Sequence, residues 1–215
     1  MKESAEQKKN RATALFKILI KEYPSEQTAL HYGNPFQLLV AVILSAQCTD
    51  ARVNLVTPQL FARFSTPKDF ASADVKELED LIHSTGFYHN KAKNIIGCSK
   101  ALIENHNSKV PETMEELFLL PGVGRKTANV VLGQAFGKIE GIVVDTHVIR
   151  LSNRLGFTKE LDAVKIEKDL MPLIPKKHWY HFSHALIFHG RKICPARKPK
   201  CAECKISSHC PSSTV

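Results

Sequence analysis

Apolar residues recur at helical spacing along nearly the whole chain. In the first segment, one face of a helix would carry the apolar residues Leu15, Phe16, Leu19 and Ile20. Alternation with period two, which is typical of a half-buried strand, is confined to a short and weak run at 139–144. The pattern therefore predicts an all-α protein.

Capping residues mark where the helices begin. Ser4 and Gln7 have the spacing of a capping box, and Asn34-Pro35 places a cap and a proline at the start of an apolar helix that runs to about residue 46. Glycines at 137, 156 and 190 stand where the glycine after a helix end belongs. The later helices are expected from Thr49 or Asp50 to about 64, in a short helix that starts at Thr66-Pro67, and near 75–82, 90–105, 114–120, 125–135, 146–155, 163–173 and 178–189.

Length and composition indicate a folded protein that does not enter a membrane. The chain has 215 residues, of which 43% are hydrophobic, and its 10 Gly and 11 Pro exclude collagen-like and low-complexity classes. The longest apolar run, 36–46, is about half the length of a membrane span. The charged N-terminal segment has no secretory signal pattern. We therefore expect a cytoplasmic protein.

The net charge narrows the class of partner. Lys and Arg number 30 against 21 Asp and Glu, which gives a net charge of +9. Such a surplus suits a polyanion such as nucleic acid. Ribosome-associated, membrane-surface and merely soluble basic proteins share it, so charge alone leaves these alternatives open.

Four of the six cysteines crowd near the C-terminus. Cys194, Cys201, Cys204 and Cys210 have the spacing C-x6-C-x2-C-x5-C. In a reducing compartment, this spacing is better explained by a bound metal or cluster than by disulfides or by four unrelated thiols. Four thiolates suit tetrahedral zinc or an iron–sulfur cube, and the spacing alone leaves that choice open.

The loop between the first two of these cysteines is basic. Arg197, Lys198 and Lys200 lie there without an acidic residue, and a metal-closed loop would hold them outward against phosphates. The alternative is an ordinary solvated basic loop.

A glycine turn precedes one of the expected helices. An apolar segment precedes Gly122, Val123 and Gly124, and Arg125 follows them. Two glycines around one apolar residue make a tight turn whose outward backbone amides, with the helix terminus, can hold a phosphate. This is the helix-hairpin-helix pattern of DNA binding without sequence specificity.

Two charged residues could carry chemistry. Lys126 falls in the first turn of that helix, where the helix terminus disfavours the ammonium form, and a neutral amine can form a Schiff base. Asp145 lies just before another helix, as an ionised cap that accepts helix amides. The alternatives are a lysine that contacts phosphate and an aspartate that only caps its helix. His147 fits packing better than catalysis.

Together these motifs resemble endonuclease III, the iron–sulfur DNA glycosylase and AP lyase of base excision repair. The resemblance spans roughly residues 10–210 in the family's order and spacing. It rests on three motifs, namely Leu120-Pro-Gly-Val-Gly-Arg-Lys-Thr-Ala-Asn-Val-Val131, Val144-Asp-Thr-His147 and the cysteine spacing. Shorter matches are Ser45-Ala-Gln47 with Thr49-Asp50, Gly86-Phe-Tyr88 with Lys91-Ala92, and His189-Gly-Arg191.

The resemblance implies a two-domain, all-α helix-hairpin-helix DNA glycosylase fold with the active site in the cleft. A six-helix barrel with the hairpin would occupy 28–138. A discontinuous helical domain, 1–27 and 139–215, would hold a 4Fe-4S cluster on the four cysteines. We expect a monomer that acts on damaged double-stranded DNA, with no obligate protein partner and no membrane.

The resemblance also implies roles for single residues. Lys126 would attack C1′ of a flipped nucleotide that carries an oxidised or ring-saturated pyrimidine, and Asp145 would assist proton transfer. Gln47 would fill the gap that the flipped base leaves. Phe87 would be an apolar wedge or, alternatively, a core aromatic residue. Arg191 belongs to a matched motif and is a candidate DNA contact.

Other assignments remain to be weighed. An adenine-excising mismatch glycosylase lacks the lysine at position 126 and carries an extra C-terminal domain, which we do not expect in a chain that stops soon after Cys210. A monofunctional thymine glycosylase also lacks the lysine. A non-catalytic DNA-binding module is the rival from another class. We expect Cys48 to be a small buried residue, and His178, His181 and His184 to serve packing rather than zinc.

Overall fold

The computed structural model describes residues 3–24 and 28–215, and within these ranges it is helical and contains no strand. The α-helices that it describes are α1 (Ala5–Glu22), α2 (Pro35–Leu44), α3 (Asp50–Arg63), α4 (Pro67–Ala71), α5 (Val75–Ile82), α6 (Tyr88–His106), α7 (Met114–Phe118), α8 (Arg125–Phe136), α9 (Thr146–Arg154), α10 (Ala163–Leu170) and α11 (Trp179–Lys192). The predicted all-α class is confirmed.

The helices begin at the caps that the sequence indicates. Ser4 and Gln7 form a complete capping box at α1. The Asn34 side chain accepts from the backbone of Gln37 ahead of Pro35, and the Thr49 side chain accepts from the backbone of Arg52 at α3. The helix ends are less regular. α2 ends at Leu44 rather than at residue 46. The helix expected over 163–173 is α10 followed by a 3-10 turn.

The chain divides into two compact units. The central unit is Gln27–Lys138, and the split unit combines Met1–Glu26 with Ile139–Val215. The boundary that we expected between residues 27 and 28 falls at the edge of residues 25–27, which lie outside the described part of the chain. Each unit has its own apolar core.

The central unit is built around α2. From Phe36 to Leu44, every residue of this helix except Gln37 is buried, which explains its almost uninterrupted apolar sequence. α8, α6 and α3 pack against it. Burial of each leucine or isoleucine contributes about 1.5–3 kcal/mol, so α2 anchors the unit.

The split unit joins the N-terminal helix to the C-terminal third of the chain. α1 and α9 both pack on α11, with Leu15, Leu19 and Phe182 buried in the core. Arg11 of α1 donates to the carbonyls of Leu155 and His209 at 2.8 and 3.1 Å. This side chain therefore ties α1 to the end of α9 and to the cysteine segment.

One glycine prediction is wrong. Gly137 and Gly156 lie at helix ends with φ of 65° and 67°, as expected, but Gly190 lies inside α11, which continues to Lys192. A Cβ at Gly190 would lie 3.1 Å from His147 Cβ and from Arg150 Nη2. The glycine is needed because α9 approaches α11 closely there, a tertiary constraint that local sequence does not reveal.

None of the helices that the structure describes is both long enough and apolar enough to cross a membrane.

Candidate active site

The glycine turn of the central unit packs tightly on α6. Gly122 has φ of 77°, and a Cβ there would lie only 2.8 Å from Cβ of Asn94. Pro121 contacts the helix one turn further on, where a Cβ at Gly97 would lie 3.3 Å from the proline ring. Val123 is buried, and its amide donates to the carbonyl of Leu120 at 3.1 Å. α6 therefore fixes the conformation of the turn.

The turn leads directly into α8. Gly124 is the cap residue, with an ordinary φ of −93°, and no side-chain hydrogen bond caps this helix terminus in the described structure. Backbone amides at such a terminus, together with the helix dipole, can hold an anion. Arg125 is half-buried, and Lys126 is exposed in the first turn. The structure thus places an accessible amine beside a terminus suited to phosphate.

Two further turns of the central unit carry predicted DNA contacts. Gln47 follows the end of α2, is exposed and has φ of 52°. Phe87 immediately precedes α6, is 61% exposed and has φ of 50°. The exposure makes the core-aromatic alternative for Phe87 wrong. Left-handed backbone costs about 1–2 kcal/mol for residues other than glycine, so both turns hold conformations that unconstrained chains avoid.

Asp145 of the split unit caps α9. Its Oδ1 accepts from the backbone amides of His147 at 2.8 Å and Val148 at 2.9 Å, and the side chain is half-buried. The buried residues Ile142 and Val144 lead the chain to it. Two hydrogen bonds to one oxygen fix the orientation of the carboxylate.

His147 serves packing, as expected. Its ring contacts the backbone at Gly190, and its Nδ1 lies 3.1 Å from Arg150 Nη2. Burial lowers the pKa of His147, which favours the neutral imidazole. A neutral imidazole can accept a hydrogen bond from the guanidinium.

Two arginines of α9 hold the segment of the first cysteine. Arg150 donates to the carbonyls of Gly190 and Cys194 at 2.9 and 3.0 Å. Arg154 donates to the carbonyls of Pro195 and Ala196 at 2.8 Å, and it lies 3.0 Å from Cys194 Sγ. The helix that Asp145 caps therefore also holds the cysteine segment. Sequence reasoning missed both arginines, because their partners lie far along the chain.

The four C-terminal cysteines line one cavity. Cys194, Cys201, Cys204 and Cys210 surround about 50 Å³, beside Leu151 and other apolar side chains. None of these four cysteines forms a disulfide. Burial raises the pKa of Cys204 and Cys210, whereas hydrogen bonds from Thr214 lower that of Cys201. The neighbouring thiolates also raise the pKa of Cys204, because like charges disfavour ionisation.

The imidazole of His189 contacts one of these sulfurs. His189 Nε2 lies 3.4 Å from Cys204 Sγ, and its Nδ1 lies 3.3 Å from the hydroxyl of Tyr23. Burial lowers the pKa of His189 to about 4, so the ring is neutral at pH 7. If Tyr23 donates to Nδ1, then Nε2–H donates to the sulfur, which places a neutral donor beside a thiolate.

The donor set is suited to a metal group, because four cysteine thiols line one cavity. Four thiolates can hold either a tetrahedral zinc ion or an iron–sulfur cluster.

The basic loop between the first two cysteines is exposed. Arg197 and Lys198 face solvent, and Lys198 has φ of 52°. Lys200 lies 3.9 Å from Glu203, and Lys205 pairs with Glu22. Arg191, at the end of α11, is exposed. Surface ion pairs of this kind are weak, so most of the positive charge of the loop remains available to a polyanion.

The remaining candidates play structural roles. The His178 ring lies 5.2 Å from that of Phe16, and the His184 ring lies 4.4 Å from that of Tyr180, so these histidines pack against aromatic residues as expected. His181 lies 6.5 Å from His178, and no metal group is found there in the described chain. Cys48 packs against the central core, but it is half-buried rather than buried as predicted, because it lies in the turn after α2.

Comparison with known proteins tests the resemblance. Residues 40–176 match the family model described as HhH-GPD superfamily base excision DNA repair protein. Endonuclease III of Synechocystis sp. is 56% identical over 206 residues, which cover 96% of this chain and 94% of the relative. Endonuclease III of Bacillus subtilis is 50% identical, with 87% of this chain and 86% of the relative covered. The chain belongs to the endonuclease III family.

Solved structures of endonuclease III agree with this assignment. A trapped endonuclease III–DNA covalent intermediate superimposes with a TM-score of 0.91 at 45% identity, covering 95% of this chain and 96% of that chain. A thermostable thymine-DNA glycosylase shares the fold, with a TM-score of 0.85 at 22% identity and 95% and 97% of the two chains covered. Enzymes of the endonuclease III family are DNA glycosylases and AP lyases.

The hairpin geometry generates a test of stability. Gly122→Ala would place a Cβ against Asn94 and strain the positive φ, so we expect the free energy of unfolding to fall by about 1–3 kcal/mol. Gly124→Ala is the matched control, because its Cβ would meet nothing within 4 Å. Urea unfolding of both variants measures the difference, and equal losses would contradict the packing argument.

Proposed function

We propose that this DNA glycosylase and AP lyase of base excision repair removes oxidised or ring-saturated pyrimidines from duplex DNA, with Lys126 as its nucleophile. The observation that carries the proposal is the exposed Lys126 amine in the first turn of α8, directly after the glycine turn. A phosphate held by the amides of this terminus would bring the sugar of the target nucleotide within reach of that amine. The relatives that lack this lysine and the non-catalytic module do not account for it.

The reaction begins on an extrahelical nucleotide, because C1′ cannot be reached inside the stacked duplex. Lys126 Nζ attacks C1′, the bond from C1′ to the base breaks, and the base leaves with a proton. The sugar ring opens to a Schiff base between C1′ and Nζ. The imine acidifies the C2′ proton. Removal of this proton breaks the C3′–O bond and cleaves the strand 3′ to the lesion.

Asp145 is assigned to proton transfer and charge stabilisation. The carboxylate is held by two amides at the start of α9, so it needs little reorganisation when positive charge develops on the sugar. We assign it the transfer of protons to and from Lys126. The same two hydrogen bonds would also serve a purely structural cap, and the variant Asp145→Asn separates the two roles.

Several groups at the surface would bind the DNA. The amides of Gly122 and Gly124 with Arg125 would hold phosphates on one side of the lesion. Val123 is also a predicted DNA contact, but it is buried and its amide donates to Leu120, so it would hold the turn in place rather than bind phosphate. Gln47 would fill the gap left by the flipped base, and Phe87 would separate neighbouring bases. The second basic locus, at the end of α11 and in the cysteine loop, consists of Arg191, Arg197, Lys198 and Lys200.

The four cysteines would hold a 4Fe-4S cluster, which proteins of this family carry. Four thiols that line one cavity can supply the ligands of such a cluster, and the family membership favours the cluster over zinc. The cluster would supply a covalent tie between segments that have little regular structure. It would keep Arg197 and Lys198 turned outward.

The domain organisation follows from this assignment. The central unit would be the helical barrel that carries the hairpin, and the split unit would be the cluster domain. We propose that the protein acts as a monomer on damaged DNA, in the cytoplasm and at the nucleoid, without an obligate protein partner.

Borohydride trapping tests the nucleophile. Incubation with an abasic duplex and borohydride should yield a covalent protein–DNA complex, because reduction fixes the imine. Lys126→Gln should abolish the complex. Arg125→Gln, which removes a positive charge from the neighbouring position, should still trap at saturating protein. Undiminished trapping by Lys126→Gln would show that another amine is the nucleophile.

Asp145→Asn tests the proton-transfer role. Asparagine caps helices as well as aspartate does, so the fold should persist, whereas turnover should fall by about 100-fold or more. DNA binding should change little. Single-turnover excision and an equilibrium binding titration measure the two effects. Parallel losses in both would reduce Asp145 to a structural cap.

Metal analysis tests the cluster. The purified protein should be brown and contain iron and acid-labile sulfide in a ratio near one, at about four of each per chain. Cys204→Ser should lose colour and iron together, whereas Cys98→Ser, which alters a buried thiol of the central unit, should keep both. A colourless protein that contains zinc would exclude the cluster.

A further inference from the structure

A buried lysine lies under the two turns that carry Gln47 and Phe87. Lys91, in the first turn of α6, is only 4% exposed, although lysine is among the residues least often buried. Its Nζ donates to the carbonyl oxygens of Leu44 and Thr85, each at 2.8 Å. One ammonium group thus joins two segments that are far apart in sequence.

Both carbonyls lie where a helical segment ends. Leu44 is the last residue of α2. If the helix continued, the carbonyl of Leu44 would accept from the amide of Cys48, but that amide donates to the carbonyl of Ser45 at 3.1 Å instead. Thr85 is the last residue of a 3-10 turn and is itself buried. Buried carbonyls without partners are costly, and Lys91 supplies the donor to both.

The two carbonyls stand directly before the predicted DNA contacts. Gln47 is in the turn that begins after Leu44, and Phe87 is in the turn that follows Thr85. Both residues are exposed in the left-handed conformation. The backbone amide of Lys91 also donates to the carbonyl of Phe87 at 3.0 Å. Lys91 therefore contacts the chain on both sides of the Phe87 turn and at the start of the Gln47 turn.

The Lys91 charge is retained at a cost. Burial lowers the pKa of Lys91, because removing an ammonium group from water costs free energy. An apolar side chain of the same shape would fill the site without that cost. Hydrogen bonds from an ammonium group are about twice as strong as neutral ones, and two of them fix both carbonyls relative to one atom. Rigidity of the two turns is the property that such a contact supplies.

We infer that Lys91 is a positioning residue that fixes the separation between the Gln47 turn and the Phe87 turn, so that the gap-filling and wedge side chains enter the duplex as one rigid pair. This inference rests on the proposed function. It extends that proposal to a residue that need not touch DNA.

The test measures base unstacking apart from chemistry. The probe is a duplex that contains a tetrahydrofuran abasic analogue with 2-aminopurine opposite, because the fluorescence of 2-aminopurine rises when it leaves the stack. Excision is measured on a duplex with a ring-saturated pyrimidine. Strand cleavage is measured on a single-stranded abasic oligonucleotide, which needs no wedge.

The variants form a matched set. Lys91→Met removes the donors and nearly preserves the length of the side chain. Lys93→Met makes the same change, with the same loss of charge, at an exposed position of α6. Gln47→Ala and Phe87→Ala report what loss of each DNA contact does. Lys91→Arg keeps charge and donors but alters the separation of the carbonyls, and it substitutes for Lys91→Met if the latter fails to fold.

The expected result is a split between substrates. Lys91→Met should lose most of the fluorescence rise, as Gln47→Ala and Phe87→Ala do, and should slow excision in the duplex by about tenfold to a hundredfold. Its cleavage of the single strand should match wild type, and Lys93→Met should be normal on all three substrates. Lys91→Arg should be intermediate in the duplex and normal on the single strand.

Other outcomes overturn the inference at distinct points. If Lys91→Met behaves like Lys93→Met, or loses single-strand cleavage as fully as duplex excision, Lys91 has no specific positioning role. If Gln47→Ala and Phe87→Ala leave the fluorescence rise intact, the wedge assignment is wrong. If wild type neither excises the pyrimidine nor cleaves the abasic strand, the proposed function itself is wrong.

Discussion

The split unit depends on the hydrogen bonds that two arginines of α9 donate to backbone carbonyls. Arg150 and Arg154 together reach Gly190, Cys194, Pro195 and Ala196, in a stretch where α11 has ended or is about to end. Such a segment has few hydrogen bonds of its own, and without donors its inward-facing carbonyls would be unsatisfied. Because Asp145 caps the other end of the same short helix, the orientation of the carboxylate and the position of the first cysteine are set by one element.

In the central unit, a lysine supplies the donors to backbone carbonyls at the ends of helical segments. Lys91 satisfies the carbonyls of Leu44 and Thr85, as the arginines satisfy those of the cysteine segment. The difference lies in chemistry. A guanidinium presents several donors in a fixed plane and can span consecutive carbonyls, whereas an ammonium is a compact point charge that draws two carbonyls to one atom. The arginines therefore suit an extended segment, and the lysine suits a junction between two turns.

Local chemistry explains which parts of this arrangement the sequence could predict. Caps and turns depend on neighbouring residues. The local sequence therefore predicts the starts of α1, α2 and α3 and the glycine turn at 122–124. Gly190 was misassigned because its role depends on α9, which packs against α11 from a distant part of the chain. The same limit applies to Lys91, which the sequence shows as part of a matched motif but not as a buried residue. Its partner Leu44 lies far along the chain, and a lysine in an amphipathic helix gives no local sign of burial.

Strained backbone conformations give an independent indication of which exposed turns carry the proposed DNA contacts. Five residues other than glycine have positive φ in the described chain: Gln47, Phe87, Asn107, Ser108 and Lys198. Asn107 and its neighbour end α6, where a left-handed residue is the usual helix stop. The other three are exposed and lie in turns assigned to DNA contact for other reasons. Such conformations persist only when surrounding contacts impose them. The bonds that Lys91 donates to Leu44 and Thr85, and those that Arg154 donates to Pro195 and Ala196, lie next to these turns and are the contacts suited to that task.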